Sequence, residues 1–454
     1  MNGASLSRWT LSYFASGLAA LLVGEILLVA GFGFPSHALD SPQTLVLVHL
    51  VAVGWLSLLM CGALIQFVPV LVAKPLAHPD LPAIALPLTI AGLASVILGF
   101  LGMAGAGFGP SPWLQLGGIG LACGFALNIW NLGRTMWTAR PIGLAARFVA
   151  LGLASLAGVI ALGLVFSSTI GGWSANDVVV RLTSQAIPIH AALGLGGWLT
   201  VTAVGVSYRL LAMFMLAPEA ERRTSAVALY AGGAAFLILL VGGPVCILVL
   251  NRDPTHPLAA ALVLATLSLT CYGYDAVGLY RARKRKKLEL NTRMAAWALG
   301  CLGLGLLLTL LATASGEINR SIGALTFLFA FGWLTGLGLA KLYKIIAFVT
   351  WLECYGPSLG RRPTPRVQDL VDEGRVLPWF LLYFLSVAVA SAAAFFGAPF
   401  VFRAAAAAML AATGRICVEF VRIRTLRFVS KPLLPQDAGA WPRLLLTKLQ
   451  PLKS

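Results

Sequence analysis

Twelve mostly apolar stretches follow one another along the chain, each near or above the ~20 residues a helix needs to cross a bilayer. They cover residues 9–31, 43–72, 81–104, 113–138, 142–168, 180–215, 225–250, 258–281, 292–314, 321–351, 377–396 and 401–428. The pattern predicts an all-α polytopic membrane protein with twelve transmembrane helices and no soluble domain. Segments two, six and ten exceed what a bilayer requires, which predicts tilt or projection beyond it. The longest polar stretch, 352–376, carries Gly356-Pro357 and Arg361-Arg362-Pro363-Thr364-Pro365 and reads as a loop. The tail 429–454 holds Pro432, Pro435, Pro442 and Pro451 beside Leu444-Leu445-Leu446, and is expected to lie along the membrane surface.

A motif recurs within segments two, six and ten. The first copy runs from His49 to Trp55 with Gly62 seven residues on; the second from His190 to Trp198 with Gly205; the third from Leu325 to Trp333 with Ala340. A long polar side chain follows at one shared offset: Gln66, Arg209 and Lys344. A period of roughly 140 residues, with about four apolar segments in each, is the signature of repeated structural units. Three four-helix repeats are expected, near 9–138, 142–281 and 292–428. The three tryptophans are mid-helix and read as interior packing. Gly54, Gly62, Gly197 and Gly205 would let helices approach closely, as association in lipid requires.

Composition agrees: 59% of residues are hydrophobic and 11% charged, against about 25% charged in soluble domains. The net charge of +17 has to be read by position. Lys74, Arg140, Arg222, Arg223, the run from Arg281 to Lys287, and Arg361, Arg362 and Arg366 fall in one set of loops. Loops 32–42, 105–112 and 169–178 hold no Lys or Arg. The positive-inside rule makes the basic set cytoplasmic, with both termini inside a bacterial-type inner membrane. The basic run therefore marks topology and contact with anionic lipid, and no nucleic-acid partner is expected. Seven cysteines lack a Cys-x-x-Cys pattern, six of them inside apolar segments, and read as packing residues.

Five histidines exist: His37, His49, His78, His190 and His256. His37 and His256 fall in outer loops and His78 in a turn, which leaves His49 and His190 inside the membrane. His49 precedes its tryptophan by six residues and His190 by eight. At ~100° per residue these positions point to nearly opposite helix faces, which places the two in different relative pores of a helical ring. A glycine-driven bulge at Gly194 or Gly196 would rephase His190. Glu25 in segment one is an ionisable group in hydrocarbon that demands a partner. It and His49 both fall roughly 9 Å below the outer surface at 1.5 Å per residue, so a Glu25–His49 hydrogen bond is expected, either orienting a ligand or closing a helix hairpin. Arg209, Lys344, Arg134 and Arg147 cluster at inner helix ends, either snorkelling or forming an anion site, and Asp275 is expected to pair with one of them.

Three four-helix repeats with both termini inside resemble subunit I of the heme-copper oxidase superfamily. The segments His49–Leu71, His190–Phe214 and Lys341–Trp351 look more like its divergent members, the NnrS-like and related oxidase-like membrane proteins. The resemblance implies a pseudo-threefold ring with helices two, six and ten inside. It also implies six metal-ligand histidines: one on helix two, one on helix six, a pair on helix seven and a His-x-His on helix ten. Here segments seven and ten have none, and Leu325 and Phe327 stand where the helix-ten pair would fall. A binuclear centre cannot be assembled in the family's way, so an oxygen-reducing enzyme is not expected.

What the resemblance leaves is His49 as a heme b or copper ligand, His190 as a copper ligand and Glu25 in support, with a cofactor-free chain equally open. The function it implies lies in nitric-oxide or metal stress or in respiratory-complex maturation, with lipid and other membrane subunits as partners. Two alternatives stand beside it: a small-solute transporter or channel, and a cofactor-free structural subunit of a membrane complex.

Overall fold

The computed structural model describes residues 7–218, 222–436 and 440–447. Among these the chain is helical and contains no strand. Twelve helices are long and apolar enough to span a membrane: α1 (Thr10–Ala30), α2 (Pro42–Val72), α3 (Leu81–Met103), α4 (Trp113–Trp137), α5 (Leu144–Ile170), α6 (Ile187–Met215), α7 (Arg223–Leu248), α8 (Thr255–Arg281), α9 (Leu290–Ala314), α10 (Ile318–Ser358), α11 (Glu373–Phe395) and α12 (Pro399–Arg424). The apolar pattern placed all twelve. Its sixth segment started too early. Asp177–Gln185 is a separate short helix capped by Asn176, and Pro188 opens α6 from its first turn, where a missing N–H costs nothing.

The helices α2, α6 and α10 are the three longest, at 31, 29 and 41 residues. They are also the most enclosed, with more than half of their apolar windows buried and less than half in each of the other nine. Each contains a stretch wound as a π-helix: Leu50–Ser57, Ala192–Thr200 and Leu328–Thr335. Each stretch carries the repeated tryptophan, and Trp55, Trp198 and Trp333 are buried. A shorter π stretch, Ile238–Gly242, interrupts α7. Wide turns weaken the regular hydrogen-bond ladder, and in a membrane neighbouring side chains must satisfy the backbone groups this leaves. Two hydroxyls do so. Tyr383 donates to the Phe331 carbonyl at 2.8 Å, and Ser155 to the Leu193 carbonyl at 3.3 Å.

By internal contacts the chain forms two compact units. One comprises residues 1–39, 54–66 and 287–454, the other residues 40–53 and 67–286.

In the first unit the Trp55 indole lies between glycines. A Cβ on Gly17 would stand 3.3 Å from its ring, and one on Gly338 would stand 3.4 Å away. Acidic side chains at the helix ends are paired. Lys344 meets Glu289 at 2.9 Å, and Arg424 meets Glu353 at 2.8 Å, both nearly fully buried. Glu419 gathers Arg375, Arg415 and Arg422. Part of the tail packs against the start of the described chain. Thr447 is buried, its hydroxyl donates to the Ser7 carbonyl at 2.7 Å, and the Ser12 hydroxyl donates to Leu445.

In the second unit α3 and α4 pack backbone to backbone through Gly92, Gly117, Gly120 and Gly124. A Cβ on Gly92 would come within 2.5 Å of the Leu121 nitrogen, and one on Gly117 within 2.6 Å of the Val96 nitrogen. Asn131 holds the turn at His78 from both sides, accepting from its N–H and donating to its carbonyl. The basic run from Arg281 to Lys287 leads from the end of α8 toward α9.

Candidate functional site

The two membrane histidines both sit where ordinary α winding gives way to a wide stretch. His49 immediately precedes Leu50–Ser57, and His190 lies two residues before Ala192–Thr200. The bulge anticipated at Gly194 or Gly196 is present, and it takes in both glycines. The ~100° phase used on the sequence therefore does not hold between either histidine and its tryptophan, because a π turn takes more residues.

His49 belongs to the second unit. Its Nδ1–H donates to the Leu45 carbonyl at 2.8 Å, which fixes the neutral tautomer and leaves the Nε2 lone pair for another partner. Its ring centroid is 5.0 Å from that of Phe100 on α3. His190, in the same unit, lies 5.4 Å from Phe166 on α5. The edge of its ring faces Gly163, where a Cβ would stand 3.6 Å away. Its Nδ1 is buried with no hydrogen-bond partner. Both histidines lie in the second unit.

Glu25 is fully buried in the first unit. Its Oε1 accepts from the Thr413 hydroxyl at 2.8 Å, and Oε2 has no partner. Glu25 and His49 each have a partner within their own unit, Thr413 for the carboxyl and Leu45 for the imidazole. Thr413 lies 388 residues from Glu25, and no local pattern announces it. Asp275 accepts from Tyr208 at 2.9 Å and Thr224 at 2.6 Å and faces Arg222 at 3.9 Å.

No protein-family model matches the chain, and no curated protein matches it.

The donor set itself bounds the chemistry. Among the described residues no three His, Cys, Asp or Glu side chains gather as a metal site, and all seven thiols are free. Leu325 and Phe327 are buried packing residues, with Phe327 stacked on Phe331 at 4.6 Å. They supply no ligand atoms. The residues present do not fit a binuclear heme-copper centre. An imidazole with an uncommitted nitrogen is the ligand type that copper prefers, and His190 Nδ1 is such a nitrogen. His37, His78 and His256 are exposed and stand apart from this pair in the sequence.

Proposed function

We propose that the chain is a divergent relative of heme-copper oxidase subunit I that holds a single metal, copper or heme iron, through His49 and His190 and does not reduce oxygen. The orphaned buried nitrogen of His190, in the same unit as His49, carries the reading. His49 is oriented by its own helix through Leu45, as metal-ligating imidazoles are oriented by their second nitrogen. His190 has a buried nitrogen with nothing to bond, a costly arrangement that a ligand would relieve. Copper or heme iron there would supply affinity for a small diatomic such as nitric oxide, or a means of carrying the metal itself. Phe100 and Phe166 would keep water from the imidazoles.

The wider architecture belongs to the same proposal: three four-helix repeats around a pseudo-threefold axis, with α2, α6 and α10 innermost and both termini on the cytoplasmic face of an inner membrane. The shared tryptophan stretches and the deep burial of those three helices favour it.

The test is metal analysis and a visible spectrum of the purified protein. One copper or one heme iron per chain, lost in both His49→Ala and His190→Ala, is the expected result. A colourless, metal-free protein that takes up neither after incubation with copper(I) or heme would overturn the reading.

A further inference from the structure

Glu25 lies in the last two turns of α1 and is fully enclosed in the first unit. Its Oε1 accepts from the Thr413 hydroxyl of α12 at 2.8 Å, and its Oε2 is buried with no hydrogen-bond partner. The proposed metal site does not use it. On α1 itself, Leu21, Gly24 and Leu28 are the buried residues beside it, all apolar.

The neighbouring helices bring it no positive charge. Among the described residues no Lys, Arg or His pairs with the carboxyl. On α12, Arg403 donates to the Val29 carbonyl on the exposed side of the α1 end, and Arg415 pairs with Glu419. The titratable groups whose charge bears on Glu25 are Cys417, one turn beyond Thr413 on α12, and Tyr383 on α11. Both are neutral acids in their ordinary form. On α2, Cys61 precedes Gly62, which abuts Tyr13 about three turns from Glu25. The tail reaches α1 at its opposite end, through Thr447 and Ser7.

A carboxylate here would carry a full charge in apolar surroundings on a single hydrogen bond. Such a charge is too costly to bury unpaired, and the group neutralises instead. Oε1 serves Thr413, which leaves Oε2 as the atom that takes the proton. Ionisable groups inside a span mark functional sites, proton relays among them. A neutral amide would accept from Thr413 equally well. What a carboxyl adds is a proton that can leave. The Oε2–H bond breaks, its electron pair stays on the carboxylate, the proton passes to water, and the Thr413 hydroxyl steadies the charge left behind.

We propose that Glu25 is a proton-binding site within the span, with an exchangeable proton on Oε2 and Thr413 holding Oε1. The site requires no metal and stands independently of His49 and His190. Infrared difference spectra of the purified full chain, unaltered against Glu25→Gln, read it directly. The expected result is a protonated-carboxyl C=O band at neutral pH that is absent in Glu25→Gln. It moves to lower wavenumber in heavy water and gives way reversibly to carboxylate bands as the pH is raised. Thr413→Val removes the hydrogen bond to the carbonyl oxygen and moves the band to higher wavenumber, which keeps the test decisive if Glu25→Gln fails to fold. Carboxylate bands from Glu25 already present at neutral pH overturn the proposal. So does a band that neither responds to heavy water nor titrates at any pH the fold survives. Loss of the band on adding sodium at fixed pH also overturns it, in favour of a metal-cation site.

Discussion

The Trp55 indole donates to the Thr335 hydroxyl at 2.9 Å, with both residues fully buried in one unit. Each lies in a π stretch, Trp55 in that of α2 and Thr335 at the end of that of α10. An indole N–H can only donate, and one buried without an acceptor is costly. Thr335→Val keeps the shape and removes the acceptor. It is expected to lower stability by about 1–3 kcal/mol, read as a fall in unfolding temperature in detergent. Thr335→Ser, which retains the oxygen, should recover most of the loss.

The α3–α4 contact makes a sharper demand. A Cβ at Gly92 would strike backbone atoms of α4, which cannot rotate aside, whereas Gly133 on α4 has nothing within 4 Å. Gly92→Ala is expected to cost about 1–3 kcal/mol or more through overpacking. Gly133→Ala should be neutral or slightly stabilising, since alanine is the better helix former. Thermal unfolding of the two variants side by side gives the comparison.

The Glu353–Arg424 pair is enclosed, and Arg424 also donates to Thr350 at 2.9 Å. Removing one partner strands the other charge. Arg424→Met should therefore destabilise by about 3–5 kcal/mol. The double variant Glu353→Gln/Arg424→Met, which strands no charge, should be more stable than Arg424→Met alone. Chemical unfolding of the three proteins checks the order.

Acid should loosen the loop before α11. Hydrogen bonds from the Arg366 side chain and backbone hold the Asp369 carboxyl below its ordinary range. A carboxyl lowered in the folded state adds order above its unfolded value, near 3.9. That order is lost as pH falls through the lower folded value. Faster amide exchange at residues 366–370 below pH 4 is expected, and Asp369→Asn should show the fast rate at neutral pH already.

The apolar runs revealed all twelve spans, because crossing a bilayer imposes a length and a polarity on each segment independently. They also singled out α2, α6 and α10, through their length and their tryptophans. Side-chain partnership was less accessible. Glu25 finds Thr413 and Thr447 finds Ser7 across nearly the whole chain, and such pairings leave no trace in local composition. The π stretches were hidden for another reason. Hydropathy has no memory of winding, and a wide turn reads as the same apolar run as a narrow one. The glycines near Trp198 were the one hint, and they raised the bulge only as a risk to the geometry of His190.

A wide turn is also a loose stitch. It holds a residue that tighter winding would not need, so one residue could be dropped from 50–53 without shortening the regular coil on either side. Because the wide winding takes up that residue, such a deletion would leave His49 and Trp55 each on its own face. Helices threaded in this way can gain or lose a residue at one turn without rebuilding the rest of the span.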